Sequence, residues 1–129
     1  MASRREARER ALELCYELET RGLTADALLA ELPVAPDPYT TTLVTGVEEH
    51  RDEIDALLGK LSERWRVDRM PAVDRALLRM GTYELGWEPE LPTPVIIDEA
   101  VELASRFSTR DSGRFVNALL SRVAEELRP

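Results

Sequence analysis

The sequence predicts an all-α protein of about seven helices, arranged as one domain of two packed helical subdomains at about residues 1–66 and 67–129. Three observations carry that expectation. Apolar residues recur at three-to-four spacing along most of the chain, the period of a helix with one face in a core. Capping residues and prolines stand where those stripes begin. No run alternates apolar with polar residues, and the β-branched residues are scattered among helical stripes, so nothing offers a sheet.

The elements follow in order. Ser3 and Glu6 form a capping box, each side chain satisfying a free N–H of the opening turn. The first helix carries Ala7, Ala11, Leu14 and Leu18 and runs to about Thr20, near Gly22. Thr24 caps a short second helix that stops before Pro33, and Pro33, Pro36 and Pro38 impose a loop. Asp37 and Pro38 supply an N-cap and first turn for one long helix with the stripe Leu43, Val47, His50, Ile54, Leu57, Leu58 and Leu61, weakened at its last turn by Gly59. After Trp65, the Met70-Pro71 step opens a helix carrying Val73, Leu77, Met80 and Leu85. A connector with Pro89, Pro92 and Pro94 leads into a helix striped by Val95, Ile96, Ala100, Leu103, Ala104 and Phe107. Asp111 or Ser112 caps the last helix, striped by Phe115, Val116, Leu119, Leu120 and Val123. About three helices form the N-terminal cluster and about four the C-terminal one. The expected core includes Leu43, Val47, Ile54, Leu77, Leu103, Val116 and Leu119.

Composition narrows the function. At 43% apolar residues, 129 residues bury a core without metals or disulfides. The lone Cys15 has no internal partner, and no apolar run approaches the length of a membrane span, so a reducing cytoplasm is the expected setting. A net charge of −8 argues against a generic nucleic-acid binder. That charge is uneven: four arginines stand against two glutamates in residues 1–10, a local excess of +2 that leaves −10 on the other 119 residues. Any nucleic-acid contact is therefore confined to one end.

Catalysis finds little support. His50 has no nucleophile or acid at a useful spacing. Glu48-Glu49, Asp52-Glu53 and Glu125-Glu126 are adjacent in helices and point about 100° apart. There is no glycine-rich phosphate loop and no spaced set of metal ligands, so the chain reads as a non-enzyme without cofactor. The arginine arm is more informative. On a helical projection Arg4, Arg8 and Arg5 fall at roughly 0°, 40° and 100°, off the apolar stripe, where they oppose the helix dipole. An anionic partner would explain them; the plain alternative is internal pairing of Arg5 with Glu9 and Arg10 with Glu6. Arg79 and Tyr83, at i and i+4, can likewise simply stack on a solvated face.

A collinear series of short motifs resembles one family. Ala7-Arg8-Glu9, Ala11-Leu12 and Tyr16 come first, then Leu43-Val44-Thr45-Gly46-Val47, Ile54-Asp55 and Trp65. Val73-Asp74-Arg75-Ala76-Leu77-Leu78-Arg79, Tyr83-Glu84-Leu85, Pro92 and residues 94–120 with Phe115-Val116-Asn117 complete it. In that order they resemble the NusB family of bacterial transcription antitermination factors. The resemblance implies two helical subdomains and an adaptor that clamps single-stranded boxA RNA together with a small-subunit ribosomal protein, NusE. The complex stays tethered to elongating RNA polymerase with other Nus factors and suppresses termination in ribosomal RNA operons. It implies RNA contacts at Arg4, Arg5 and Arg8 and, around Asp111-Ser112, at Arg110, Arg114 and Phe115, where cations beside an aromatic suit splayed bases. Phe115 fits a core position equally well. It implies a partner surface at Asp74, Tyr83 and Glu84. Asp98 and Ala118 depart from the family's usual Asn and Gly. Two other readings stay open: a protein-binding helical scaffold with little RNA affinity, and a stand-alone relative of the domain fused to RNA cytosine methyltransferases. A monomer or weak homodimer is expected.

Overall fold

The computed structural model describes residues 2–129, which form seven α-helices and no strand. α1 (Arg4–Arg21) opens on the expected capping box: Glu6 N–H donates to Ser3 Oγ and Ser3 N–H to Glu6 Oε1, both at 3.1 Å. It closes at Gly22, whose left-handed φ of 64° is the conformation glycine adopts without strain. α2 (Ala25–Glu31) is capped by Thr24, as expected, and a proline-rich loop follows.

The single long helix expected next is two. α3 (Pro38–Glu49) and α4 (Arg51–Leu61) are separated at His50, where φ −107° and ψ 17° bend the backbone. The bend lets α3 lie against α1 and α5 while α4 reaches α5 and α7. His50 fixes the corner, its ring stacked 4.0 Å from that of Trp87. A 3₁₀ turn at Val67–Arg69, unsignalled in the sequence, leads to α5 (Ala72–Trp87), α6 (Thr93–Phe107) and α7 (Ser112–Leu127). Four α-helices thus precede Trp65 and three follow it, the reverse of the expected division.

α5 is the hub. It touches α1, α3, α4, α6 and α7, and every residue from Ala76 to Leu85 is buried. A helix enclosed on all sides must pair its charges internally, because an unpaired buried charge is costly. Glu84, 2% exposed, is clasped by Arg8, 3% exposed, whose Nε donates to both carboxylate oxygens at 3.2 and 3.0 Å. The Tyr39 hydroxyl donates to the same carboxylate, so one ion pair joins α1, α3 and α5. Lower on α5, Arg79 donates through Nε and Nη2 to Asp55 at 2.9 Å each and through Nη1 to Glu19, which also receives Arg75. At the start of α5, Asp74 accepts from the hydroxyls of Ser108 and Ser112.

All seven expected core residues are buried. Val95 and Phe107 leave the expected α6 stripe and are exposed. Ser112 is buried against Asp74 rather than capping α7, whose N-cap residue Asp111 makes no side-chain cap bond. Arg128 closes the far end, its guanidinium donating to the carbonyls of Glu84, Leu85, Glu88 and Leu91.

Four measurements check this packing. Leu119→Ala should cost about 2–5 kcal/mol in urea unfolding, the range for a fully buried leucine. Arg8→Ala, which strands a buried carboxylate, should cost about 3–5 kcal/mol. Gly46→Ala should destabilise by about 1–3 kcal/mol, because a Cβ there would overlap the Tyr83 ring. The hydrogen bond from Arg75 holds the Glu19 carboxyl below the ordinary glutamate range. Its stabilisation is therefore complete above the unfolded-chain value of about 4.3 and is lost as pH falls through the depressed folded value. Glu19→Gln should give a shallower loss of melting temperature on acidification than the parent chain.

Candidate nucleic-acid and partner interface

The N-terminal arm divides by burial. Arg8 does not sit on the exposed strip expected for it: α3 and α5 enclose that side of α1, and its guanidinium is spent on Glu84. Arg5 stays outside, its side chain 62% exposed, and pairs across to Glu99 of α6 at 3.1 Å rather than with Glu9. Arg10 likewise turns to Glu13, and Glu9 receives Arg106 at 2.8 Å. Arg4 is exposed and lies over the Tyr39 ring, Cζ 3.7 Å from the centroid.

The α6–α7 turn builds a second basic patch. Arg110 and Arg114 are exposed there, and Phe115 is half-buried, set edge-on to Trp65 with centroids 4.9 Å apart. Arg114, Phe115, Ala118 and Arg122 of α7 face Glu63 and Arg64 across a groove of about 320 Å³. Arg64 lies over the Trp65 ring at 4.3 Å. Arg64 and Arg122 were not singled out by the sequence, because they fall between or behind recognised motifs, and Trp65 was read only as a family-matching position with no site role. The available signal was the alternation of arginine and aromatic in Arg64-Trp65-Arg66 and Arg114-Phe115.

Most of the chain's arginines are neutralised by carboxylates within 4 Å. Arg4, Arg64, Arg69, Arg110 and Arg114 have no such partner among the described residues, despite the surplus of acid, and neither has Arg128, which is spent on backbone carbonyls. The two patches do not merge. The arm sits beside Glu84 and the turn beside Asp74, about 15 Å apart along α5.

The expected partner surface is not a surface. Asp74 is 1% exposed and knotted to Ser108 and Ser112, Glu84 is spent on Arg8 and Tyr39, and Arg79 is paired with Asp55 rather than stacked on Tyr83. Tyr83 is buried against Gly46 and donates to Glu88 at 2.7 Å; burial, then that carboxylate, pushes its pKa up. The reason is the enclosure of α5, which turns what reads as a polar face into an internal lattice of ion pairs. The open apolar feature lies alongside. A groove of about 580 Å³ is lined by Leu12 and Tyr16 of α1, Val73 of α5 and Phe107 of α6, with Glu9, Glu13 and Glu17 along one rim. Tyr16 and Phe107 are 45% and 46% exposed.

Among the described residues no group of acidic, histidine or cysteine side chains is placed to hold a metal ion, and no helix is long and apolar enough to cross a membrane. Burial pushes the Cys15 thiol up to about 12, so it stays protonated and unreactive at neutral pH.

Comparison with known proteins agrees with this architecture. The NusB family model matches residues 5–125. The transcription antitermination protein NusB of Kineococcus radiotolerans is 48% identical over 129 residues, covering 97% of this chain and 95% of that protein. That of Saccharopolyspora erythraea is 49% identical, covering 96% and 88%. Among solved structures, T. maritima NusB superposes with a TM-score of 0.88 at 34% identity, over 99% of this chain and 94% of that one. NusB in a complex with NusE and double-stranded RNA superposes at 0.83 with 26% identity, over 95% and 96%. With a family match across nearly its whole length and relatives approaching half identity, the chain belongs to the NusB family.

Proposed function

We propose that this chain is a transcription antitermination adaptor that holds single-stranded boxA-type RNA on its two arginine–aromatic patches and a small-subunit ribosomal protein of the NusE type in its apolar groove. The observation that carries the reading is that three exposed arginines without carboxylate partners among the described residues stand beside aromatic rings in an acid-rich chain: Arg4 on Tyr39, Arg64 on Trp65, and Arg114 next to Phe115. Unneutralised cations attract phosphate, and the adjoining rings offer stacking area to unpaired bases. A protein so acidic overall holds RNA only where those patches are.

The groove beside Tyr16 and Phe107 suits a basic protein segment with apolar anchors. Its floor is apolar, and its rim carries Glu9, Glu13 and Glu17, held in the free chain by Arg106, Arg10 and Arg21, which a basic partner segment would displace. Ribosomal proteins are generally basic, so the acidic body speeds and orients that encounter. The homologous complex of NusB with NusE and double-stranded RNA supports pairing a protein and an RNA on one chain. No bond is made or broken. The adaptor works in the cytoplasm by positioning, tethering RNA to the elongating polymerase with other Nus factors, and it acts as a monomer or weak homodimer in which a second copy competes for the same groove.

Asp98 and Ala118 bear differently on the RNA reading. Asp98 is exposed on α6, one residue before the Glu99 that holds Arg5, so it adds negative charge near the arm. Ala118 lines the α7 groove, where a methyl group narrows but does not fill the space.

Two binding experiments test the assignment separately. Arg110→Ala with Arg114→Ala should weaken single-stranded boxA RNA binding and flatten the slope of log K against log salt by about 0.7 for each phosphate no longer neutralised, with melting temperature unchanged. A parental slope in that variant would remove the turn from the RNA surface. Tyr16→Ala with Phe107→Ala should weaken the ribosomal protein by tenfold or more, about 1.4 kcal/mol, while RNA binding by the chain alone stays as it was. Undiminished partner affinity would move the docking site away from the groove.

A further inference from the structure

Tyr39, a half-buried first-turn residue of α3, is anchored at both its backbone and its hydroxyl. Its hydroxyl donates to Glu84, which the buried guanidinium of Arg8 clamps from the other side. Burial, then the neighbouring Glu84 carboxylate, pushes the phenol pKa far up, so it remains a neutral donor throughout the range in which the protein folds. Asp37, which caps α3, accepts from the Tyr39 N–H at 2.9 Å and fixes the backbone as well. Both ends of the side chain's long axis are therefore held in place.

Upon that plane lies Arg4, with Cζ 3.7 Å from the ring centroid, while the Cζ of Arg8 is 5.8 Å away. Arg4 is exposed and has no carboxylate partner among the described residues, so the attraction of its charge for the ring quadrupole is what holds it there. A guanidinium lying on a ring is a flat surface with two faces. Arg4 is close enough to the Tyr39 ring to lie flat on it, and its exposure leaves the group open to solvent.

Resting on the RNA-binding role set out above, we propose that Arg4 and Tyr39 form a preorganised platform on which one unpaired RNA base stacks, making a three-layer sandwich of base, guanidinium and phenol at the arm. The chemistry recognised is the π-face of a nucleobase, so the platform accepts any base, and its stacking is distinct from phosphate attraction at Arg5. The buried Arg8–Glu84 pair serves RNA indirectly, by holding the Tyr39 hydroxyl and hence the position of the ring beneath Arg4. Arg8 and Glu84 are thus positioning residues that themselves stay clear of the base.

The test uses the full chain and single-stranded boxA oligoribonucleotides in which 2-aminopurine replaces one base at a time, read by fluorescence and by affinity across a salt series. In the parent chain one position should be quenched on binding. Arg4→Lys keeps the charge and loses the plane: affinity should fall about five- to tenfold, within the range for removal of one base stack, the quench should be relieved, and the salt slope should stay parental. Tyr39→Phe keeps the ring and should keep the quench, while Tyr39→Leu should lose it; the Arg4 variant decides the matter should Tyr39→Leu unfold, because Arg4 lies on the surface. Parental affinity and an intact quench in Arg4→Lys would overturn the platform. So would RNA bound by the parent chain with a normal salt slope and no position quenched, and that result leaves the RNA-binding role itself standing. No RNA binding by the parent chain at all would overturn both.

Discussion

The ion pair between Arg8 and Glu84 is the constraint on which the rest of this structure turns. It lies in the interior where α1, α3 and α5 meet, and Tyr39 completes it with a hydroxyl from the third helix. Two charges removed from water contribute to stability only when each is fully partnered, so the pair demands one register of α1 along α5 and one rotation of α3. A slip by a turn would leave a bare carboxylate in the core. The other buried polar groups repeat the pattern at intervals along α5, with Arg79 and Arg75 reaching Glu19 and Asp55, and Asp74 tying in Ser108 and Ser112. Together they act as locating pins for the surrounding helices, while apolar burial supplies the bulk of the driving force.

Function is distributed around that hub. The hub anchors the arm through Glu84 and the α6–α7 turn through Asp74, two positions about 15 Å apart along a single helix. Val73 and Phe107 line the apolar groove, and the residues that follow each of them, Asp74 and Ser108, are bonded to one another. The apolar groove proposed for the protein partner and the turn proposed for RNA are thus neighbours in the covalent chain as well as in space.

Much of this was legible in the sequence because it depends on local rules. The Ser3–Glu6 capping box, the Thr24 cap, the proline breaks and the core positions of Leu43, Ile54 and Leu119 follow from short-range chemistry and helical period, and each is present. What was not legible depends on what lies across from a residue. Nothing near Arg8 in the sequence indicates that Glu84, far along the chain, will bury it, and a helical projection places it on the open side. The bend at His50 has the same origin: its stripe is continuous, and the break arises because α3 and α4 must reach different neighbours. Asp74, Tyr83 and Glu84 read as a polar face because projection cannot show that α5 is surrounded. One signal was available. The run from Ala76 to Leu85 has apolar residues on every side of the helix, which marks an enclosed helix whose polar groups need partners.

The arginines of this chain divide into those that build the protein and those left free for RNA. Arginine side-chain Nε–Hε resonances, followed by NMR as single-stranded boxA RNA is added to the labelled chain, read that division directly. Arg4, Arg64, Arg110 and Arg114 should shift on binding while Arg8, Arg75 and Arg79 hold their positions, because the latter stay locked to Glu84, Glu19 and Asp55. Large shifts at Arg8 and Arg79, with the exposed four unmoved, would contradict that division.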